Sequence, residues 1–240
     1  MKTNKLINKS FQFKQFSIQE GQCGMPVSTD GVLLGSWAFS TPPATILDIG
    51  CGTGLLSLMC AQRFSLAVIT AIDIEASAYQ ATELNRKNSP WAARITSQQA
   101  DILDWQPLTR FAAIICNPPY FTSGASAQQP VRATARHTLG LSHPALIARL
   151  PQLLTSDGVA SFILPKSEGE QFIALAQQAG LYLGRYCQVQ ATASKPVHRL
   201  LFELHRSPFI SQATELVIQQ HGAYSEPFCQ LTRDFYLKMT

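Results

Sequence analysis

From about Thr45 onward, short apolar runs alternate with longer amphipathic stretches, and that rhythm predicts most of the fold. Ile46-Leu47-Asp48-Ile49 reads as a buried strand and Gly50 to Gly54 as a tight turn. Leu55 to Arg63 reads as a helix, with Leu55, Leu58, Met59 and Gln62 at helical spacing. Ala67 to Asp73 is a second predicted strand, followed by a helix from Glu75 to Lys87. Ile95 to Ala100 and Phe111 to Cys116 are the third and fourth strands. Pro144 to Leu154 is helical, Gly158 to Leu164 a strand, and Glu168 to Gln178 a helix. Strands alternating with helices of this length predict an α/β protein, a doubly wound parallel sheet covered on both faces. Leu181 to Val189 and Arg199 to His205 follow each other without a helix, which predicts an antiparallel pair at one edge. Residues 1–40 read as an N-terminal extension or cap, with Ser28-Thr29-Asp30 offering N-cap oxygens ahead of Val32 to Phe39. Residues 41–240 form the main domain.

Composition is typical of a globular chain. With 46% hydrophobic residues over 240 positions the chain is an ordinary globular sequence. The net charge of +4 decides nothing alone, but its distribution is uneven. Between Trp105 and Ser156 there is no Asp or Glu, while Arg110, Arg132, Arg136 and Arg149 are present with His137 and His143. That stretch fits an anionic partner such as RNA, and equally a solvated loop. Six cysteines without a C-x-x-C pair argue against a zinc site and a disulfide framework, and no metal is expected. The N-terminal lysines lack a following apolar core, so no signal peptide is expected, and Phe111 to Cys116 is too short to span a bilayer. A soluble cytoplasmic protein is the expectation.

Asp48-Ile49-Gly50-Cys51-Gly52-Thr53-Gly54 lies between the first main strand and its helix. Glycines there let backbone approach a ligand, and a helix N-terminus offers free N–H groups. The spacing is G-x-G-x-G. A dinucleotide fingerprint would need glycine at Leu55, and no Lys-Ser/Thr pair follows for a P-loop. Asp48 would repel a pyrophosphate but suits a ligand carrying an ammonium group, as S-adenosylmethionine does. Asp73 lies 19 residues beyond Gly54, at the end of the next strand, where an acid can accept both ribose hydroxyls. Asp101 follows the third strand and is placed to accept from an adenine amine. Singly, each also fits a plain role: Asp48 as a turn acceptor, Asp73 as a helix cap, Asp101 as a loop cap. Three acids at successive strand ends point to a nucleoside cofactor.

Asn117-Pro118-Pro119-Tyr120 leaves the fourth strand at the same edge. Two prolines stop the strand and forbid an immediate helix, so the turn is rigid. Methylation of a planar nitrogen fits it, because such a nitrogen is a poor nucleophile while its lone pair is delocalised. The Asn117 side-chain oxygen and the Pro118 carbonyl can accept its two N–H groups and aim the lone pair at a methyl donor. Tyr120 can stack on the planar target, worth ~1–3 kcal/mol for a base. The plain alternative is a strand-exit turn with a buried tyrosine.

Together, Asp48-x-Gly50-x-Gly52-x-Gly54 and Asn117-Pro118-Pro119-Tyr120 resemble the class I S-adenosylmethionine-dependent N-methyltransferases. The likeness covers about residues 45–205 and implies a Rossmann-like, doubly wound, seven-stranded sheet with an antiparallel final hairpin. Adenine-N6 methyltransferases and the glutamine-N5 methyltransferases of peptide release factors share both motifs. A narrower likeness lies in Phe11-x-Phe13-Lys14-Gln15-Phe16, Thr29 to Ala38, Ser89-Pro90-Trp91-Ala92, His198-Arg199 and Phe235-Tyr236-Leu237. These are similar to the bacterial tRNA valine adenine-37-N6-methyltransferases, whose target is the adenine 3′ to the anticodon. The resemblance implies catalytic roles for Asn117, Pro118 and Tyr120. It implies cofactor binding by Asp48, Gly50, Gly52, Gly54, Asp73, Asp101 and Asn117. It further implies a tRNA partner, with no DNA or membrane partner, and a monomer. Lys14, Arg132, Arg136, Lys195, His198 and Arg199 are candidate RNA contacts, and Lys195 to Arg199 is expected to form the loop of the final hairpin. A glutamine-N5 methyltransferase, another RNA adenine-N6 methyltransferase and an RNA-binding module without turnover stand as alternatives.

Overall fold

A computed structural model describes residues 10–21, 23, 26–119 and 141–239. Described strands and helices are numbered in chain order. The main sheet takes its first parallel strands from β3 (Thr45–Ile49), β4 (Val68–Asp73), β5 (Ile95–Gln99), β6 (Phe111–Cys116) and β7 (Leu154–Pro165). It continues through β8 (Tyr182–Thr192), β9 (Val197–His205), β10 (Gln212–Gln220) and β11 (Ala223–Tyr224) in the order β11-β10-β8-β9-β7-β6-β3-β4-β5. β9 runs antiparallel to both β7 and β8, as the lack of a helix between their segments predicts. The sheet has nine strands rather than the expected seven. The additional β10 pairs parallel with β8 and β11 pairs antiparallel with β10. β10 lies next to the two-residue edge strand β11, which covers it only at Gln219 and Gln220, and of its residues only Leu216 is buried, so it carries no full apolar alternation.

Helices α2 (Leu55–Arg63), α3 (Ala76–Lys87), α4 (His143–Leu153) and α5 (Lys166–Gln178) supply the crossovers among the described residues. Alternation along the strands feeds two cores. Ile46, Ala113, Ile115, Ile163 and Leu201 face the side that carries α1 (Thr29–Trp37) and α2. Leu47, Ile114, Phe162, Leu164 and Phe202 face α4 and α5. The Phe162, Phe172 and Phe202 rings meet there at centroid distances of 4.9, 5.4 and 5.7 Å. Such aromatic pairs contribute about 0.5–1.5 kcal/mol each beyond their buried area.

A two-stranded hairpin of β1 (Ser10–Gln12) and β2 (Ser17–Gln19), which the sequence reading does not include, packs Phe13, Phe16 and Ile18 into the α1/α2 core. The final helix α6 (Glu226–Thr232) adds Phe228 to that core, and Phe235 follows from the tail. α1 begins at Thr29 with Ser28 as its N-cap, the Ser28 hydroxyl accepting from Gly31 N at 3.1 Å. Gly35 lets α1 lie against α2, since a Cβ there would sit 2.5 Å from the Met59 sulfur. Trp37 and Trp91 pack, the first under the Arg185 guanidinium at 4.4 Å and the second against Phe16 at 5.8 Å. Among the described residues no helix is long and apolar enough to cross a membrane.

Candidate active site

β3 pairs with β4 on one side and β6 on the other, so the chain's crossovers diverge at β3. In open α/β sheets the ligand crevice opens at such a switch point, beyond the carboxyl ends of the strands. The register sets Ile49 beside Ile72 and Cys116, so the glycine turn and Asn117 leave the sheet side by side.

Gly50, Gly52 and Gly54 have φ of 68°, 56° and 79°, the left-handed region that only glycine enters without strain. Gly50 N and Cys51 N donate to the Ile72 carbonyl at 2.9 and 3.1 Å, pinning the turn to the end of β4. A Cβ on Gly50 or Gly52 would meet no protein atom within 4 Å, so the turn faces open space. Behind it, α3 supplies two braces. The Thr82 hydroxyl donates to Gly52 O at 3.0 Å, and Asn85 Nδ2 donates to Thr53 O at 2.9 Å. Asn85 also exchanges hydrogen bonds with Gln19 N and O, tying β2 to the same turn.

Asp48 is fully buried. Its Oδ2 accepts from Ser57 N at 3.0 Å and from the Ser57 hydroxyl at 2.6 Å, in the first turn of α2. Its Oδ1 has no hydrogen-bond partner among the described residues. Burial pushes the Asp48 carboxyl up to about 7, partly offset by the two Ser57 bonds. Asp73 Oδ2 accepts from Gly52 N and Oδ1 from Glu75 N, both at 2.9 Å. Each carboxylate oxygen has a second lone pair, so both remain able to accept from a ligand. Asp101 Oδ1 accepts from Leu103 N at 2.9 Å, and Ala100 N donates to Asp73 O at 2.9 Å, which holds the two acids on adjacent strand ends. Each acid therefore carries a local backbone role, and each keeps acceptor capacity beyond it. Asn117 is half-buried and Pro118 buried. Cys51 within the turn is held as a thiol by burial, which raises its pKa and removes it as a nucleophile.

The candidate RNA contacts are placed differently from one another. Lys195 is exposed on the β8–β9 turn, but Val197 opens β9, so His198 and Arg199 belong to the strand and not to the loop expected for them. The backbone at Arg199 pairs with Pro165 of β7 on one side and Val189 of β8 on the other. Arg199 Nε donates to Asp30 Oδ2 at 2.8 Å, an ion pair that joins α1 to the sheet. Lys14 Nζ donates to the Arg233 and Met239 carbonyls at 2.6 and 3.1 Å, fastening the hairpin to the tail. Tyr120, Arg132 and Arg136 lie outside the described residues. Sequence reasoning missed Ser57, Thr82 and Asn85. The signal for the last two was present: Ala78, Ala81, Thr82 and Asn85 form one buried, small or polar face of α3.

The Methyltransferase small domain family matches residues 33–141. A Vibrio cholerae serotype O1 protein named tRNA1(Val) (adenine(37)-N6)-methyltransferase is 75% identical over 240 residues, covering 100% of both chains. The chain belongs to this methyltransferase family. Among solved structures, a predicted O-methyltransferase from Agrobacterium tumefaciens superposes with a TM-score of 0.65 at 20% identity, covering 86% of this chain and 96% of that one. The glycopeptide N-methyltransferase MtfA complexed with S-adenosylmethionine gives 0.56 at 13% identity, covering 76% of this chain and 100% of that one. Both likenesses show the class I methyltransferase fold in this family member.

S-adenosylmethionine suits the donor set. It carries an ammonium group, ribose hydroxyls and an adenine amine, all donors, and the strand ends carry Asp73 and Asp101, with Asp48 enclosed behind the glycine turn, all acceptors. Open space over Gly50 and Gly52 and the orphaned Asp48 oxygen mark where a ligand would complete the site. Among the described residues no group of three or more His, Cys, Asp or Glu could hold a metal.

Proposed function

We propose that this chain transfers the methyl group of S-adenosylmethionine to the N6 amine of adenine 37, beside the anticodon of a valine tRNA, as the name of its 75% identical relative describes for that protein. The observation that carries this reading is the register that sets Asn117-Pro118 beside the glycine turn. Asp48 takes the ammonium group, Gly50, Gly52 and Gly54 admit the cofactor close to the backbone, Asp73 takes the ribose and Asp101 the adenine amine. The cofactor supplies an electrophilic methyl on a sulfonium. Asn117 Oδ1 and the Pro118 carbonyl accept the two N–H groups of the target amine and turn its lone pair towards that methyl. No base has to act first, since the nitrogen becomes strongly acidic only after it is methylated. Tyr120 stacks on the base.

An adenine beside the anticodon lies in a single-stranded loop, so the enzyme splays it out without opening a duplex, which would cost a few kcal/mol more. Lys195, His198 and Arg199, with Arg132 and Arg136, contact tRNA phosphates, and Arg199 does so in competition with Asp30. In this reading residues 1–40 cap a methyltransferase domain of residues 41–240. The protein acts as a cytoplasmic monomer on RNA, without a metal, DNA or membrane. Nucleoside mass spectrometry on tRNA from cells lacking the gene tests this: N6-methyladenosine should vanish from valine tRNA and return with the intact gene. Its persistence would refute the assignment.

A further inference from the structure

Arg149 occupies the buried face of α4 among Leu146, Ile147, Leu150 and Leu153, and is only 7% exposed. A charged side chain there is costly unless its donors are satisfied, and packing alone would be served by methionine. Its acceptors are all neutral. Nε donates to Ile102 O at 2.9 Å, Nη2 to Trp105 O, and Nη1 to the Gln152 amide oxygen. The two carbonyls belong to one small turn. Asp104 N and Trp105 N donate to Asp101 O at 3.2 and 2.8 Å, and Leu103 N donates to the Asp101 carboxylate. The chain from 101 to 105 is thus wound around Asp101. Ile102 anchors it in the core, and Trp105 anchors it through Gln98 Oε1 at 3.0 Å and a stack on Phe111. The buried guanidinium grips this turn at both ends.

We propose that Arg149 is a positioning residue for adenine recognition: by clamping the Ile102 and Trp105 carbonyls it fixes the turn that presents Asp101, and so sets the preference for an adenine-bearing cofactor. The inference rests on the reading of Asp101 as acceptor of the adenine amine. A planar guanidinium holds two carbonyls at a fixed separation, which a lysine ammonium on a flexible stem does not do.

The test is calorimetric binding of S-adenosylhomocysteine and S-inosylhomocysteine to the full chain. The inosyl compound carries a carbonyl where adenine has its amine. Wild type should prefer the adenosyl compound by at least ~10-fold, since a hydrogen bond to a charged group is lost. Arg149→Met should lower that ratio at least threefold. It should also raise the KM for S-adenosylmethionine with little change in kcat, which a general loss of folded protein would not do. If Arg149→Met does not fold, Arg149→Lys carries the same threshold. Asp101→Ala separates the role of Asp101 from that of Arg149. A ratio that collapses in Asp101→Ala and falls less than threefold in folded Arg149 variants overturns the role of Arg149 alone. An undiminished ratio in Asp101→Ala overturns the Asp101 reading and the inference with it. In the double variant the ratio should fall no further than in Asp101→Ala.

Discussion

Cofactor binding should be linked to the titration of Asp48. Without ligand, burial holds this carboxyl up to about 7, so it is largely protonated in mildly acidic solution. An ammonium group pairing with the orphaned Oδ1 requires the carboxylate form. Binding must then expel the proton wherever the free protein still carries it. Each pH unit below about 7 weakens affinity about tenfold, since one unit is worth about 1.4 kcal/mol. At pH 5.5 the dissociation constant should stand roughly 30-fold above its plateau, following the same conversion. Above pH ~8 the α-amino group of the ligand loses its own proton, and affinity should decline again. Titration calorimetry from pH 5.5 to 8.5, in paired buffers of different ionisation heat, reads both the constant and the protons released. Near pH 7 about half a proton should leave per cofactor bound, because half the sites are protonated there. Asp48→Asn should bind more weakly at neutral pH and lose the acidic limb. A flat dissociation constant between pH 5.5 and 7 without proton release would refute the pairing, and would leave Asp48 with its Ser57 bonds at the start of α2 as its sole role.

The same carboxyl bears on stability: its folded value exceeds its ordinary 3.8, so the folded state keeps a proton that the unfolded chain has lost. Denaturant unfolding without ligand should therefore show stability falling as pH rises from about 4 to 7 and levelling above it, by at most about 4 kcal/mol, with Asp48→Asn flatter across that window. Asp73→Ala should weaken cofactor binding by at least ~10-fold in calorimetry, because charge-assisted bonds to the ribose disappear together with the acceptor that orients Gly52 N; unchanged affinity would remove Asp73 from the site. Asn117→Ala should leave that affinity nearly intact while lowering the single-turnover methylation rate at least ~100-fold, on the scale of losing one oriented group in a dry site. A rate within a few-fold of wild type would dissociate the Asn117 turn from the chemistry.

What could be read from the chain divides along the range of the interactions. β3, the glycine turn and α2 were legible because a short buried run, glycine spacing and helical period all act within twenty residues, and Leu55–Arg63 emerges with the boundaries expected for it. The β1–β2 hairpin was not, although Phe13, Phe16 and Ile18 are buried, because strands of three residues carry no measurable alternation. Charges were read least well. Arg199 and Lys14 look alike as cations in a sequence, yet one meets Asp30 and the other the Arg233 and Met239 carbonyls, partners from the far end of the chain. Asp48, Asp73 and Asp101 were placed correctly at strand ends, but their bonds to Ser57, Gly52 and Leu103 depend on turns whose side-chain directions no spacing rule specifies. Arg149 was visible only as part of an acid-free stretch; its clamp on the 101–105 turn exists because α4 packs beside β5's exit.

Methyl transfer to adenine 37 is read out by incubating the purified protein with methyl-labelled S-adenosylmethionine and a mixture of valine tRNA and peptide release factors, then digesting each fraction and identifying the labelled species by mass spectrometry. The label should appear as N6-methyladenosine, in the anticodon-loop fragment carrying the adenine 3′ to the anticodon, and activity at subsaturating tRNA should fall steeply with added salt as phosphate contacts are screened. Label on a glutamine side chain of the release factors, with none in tRNA, would refute tRNA as the substrate.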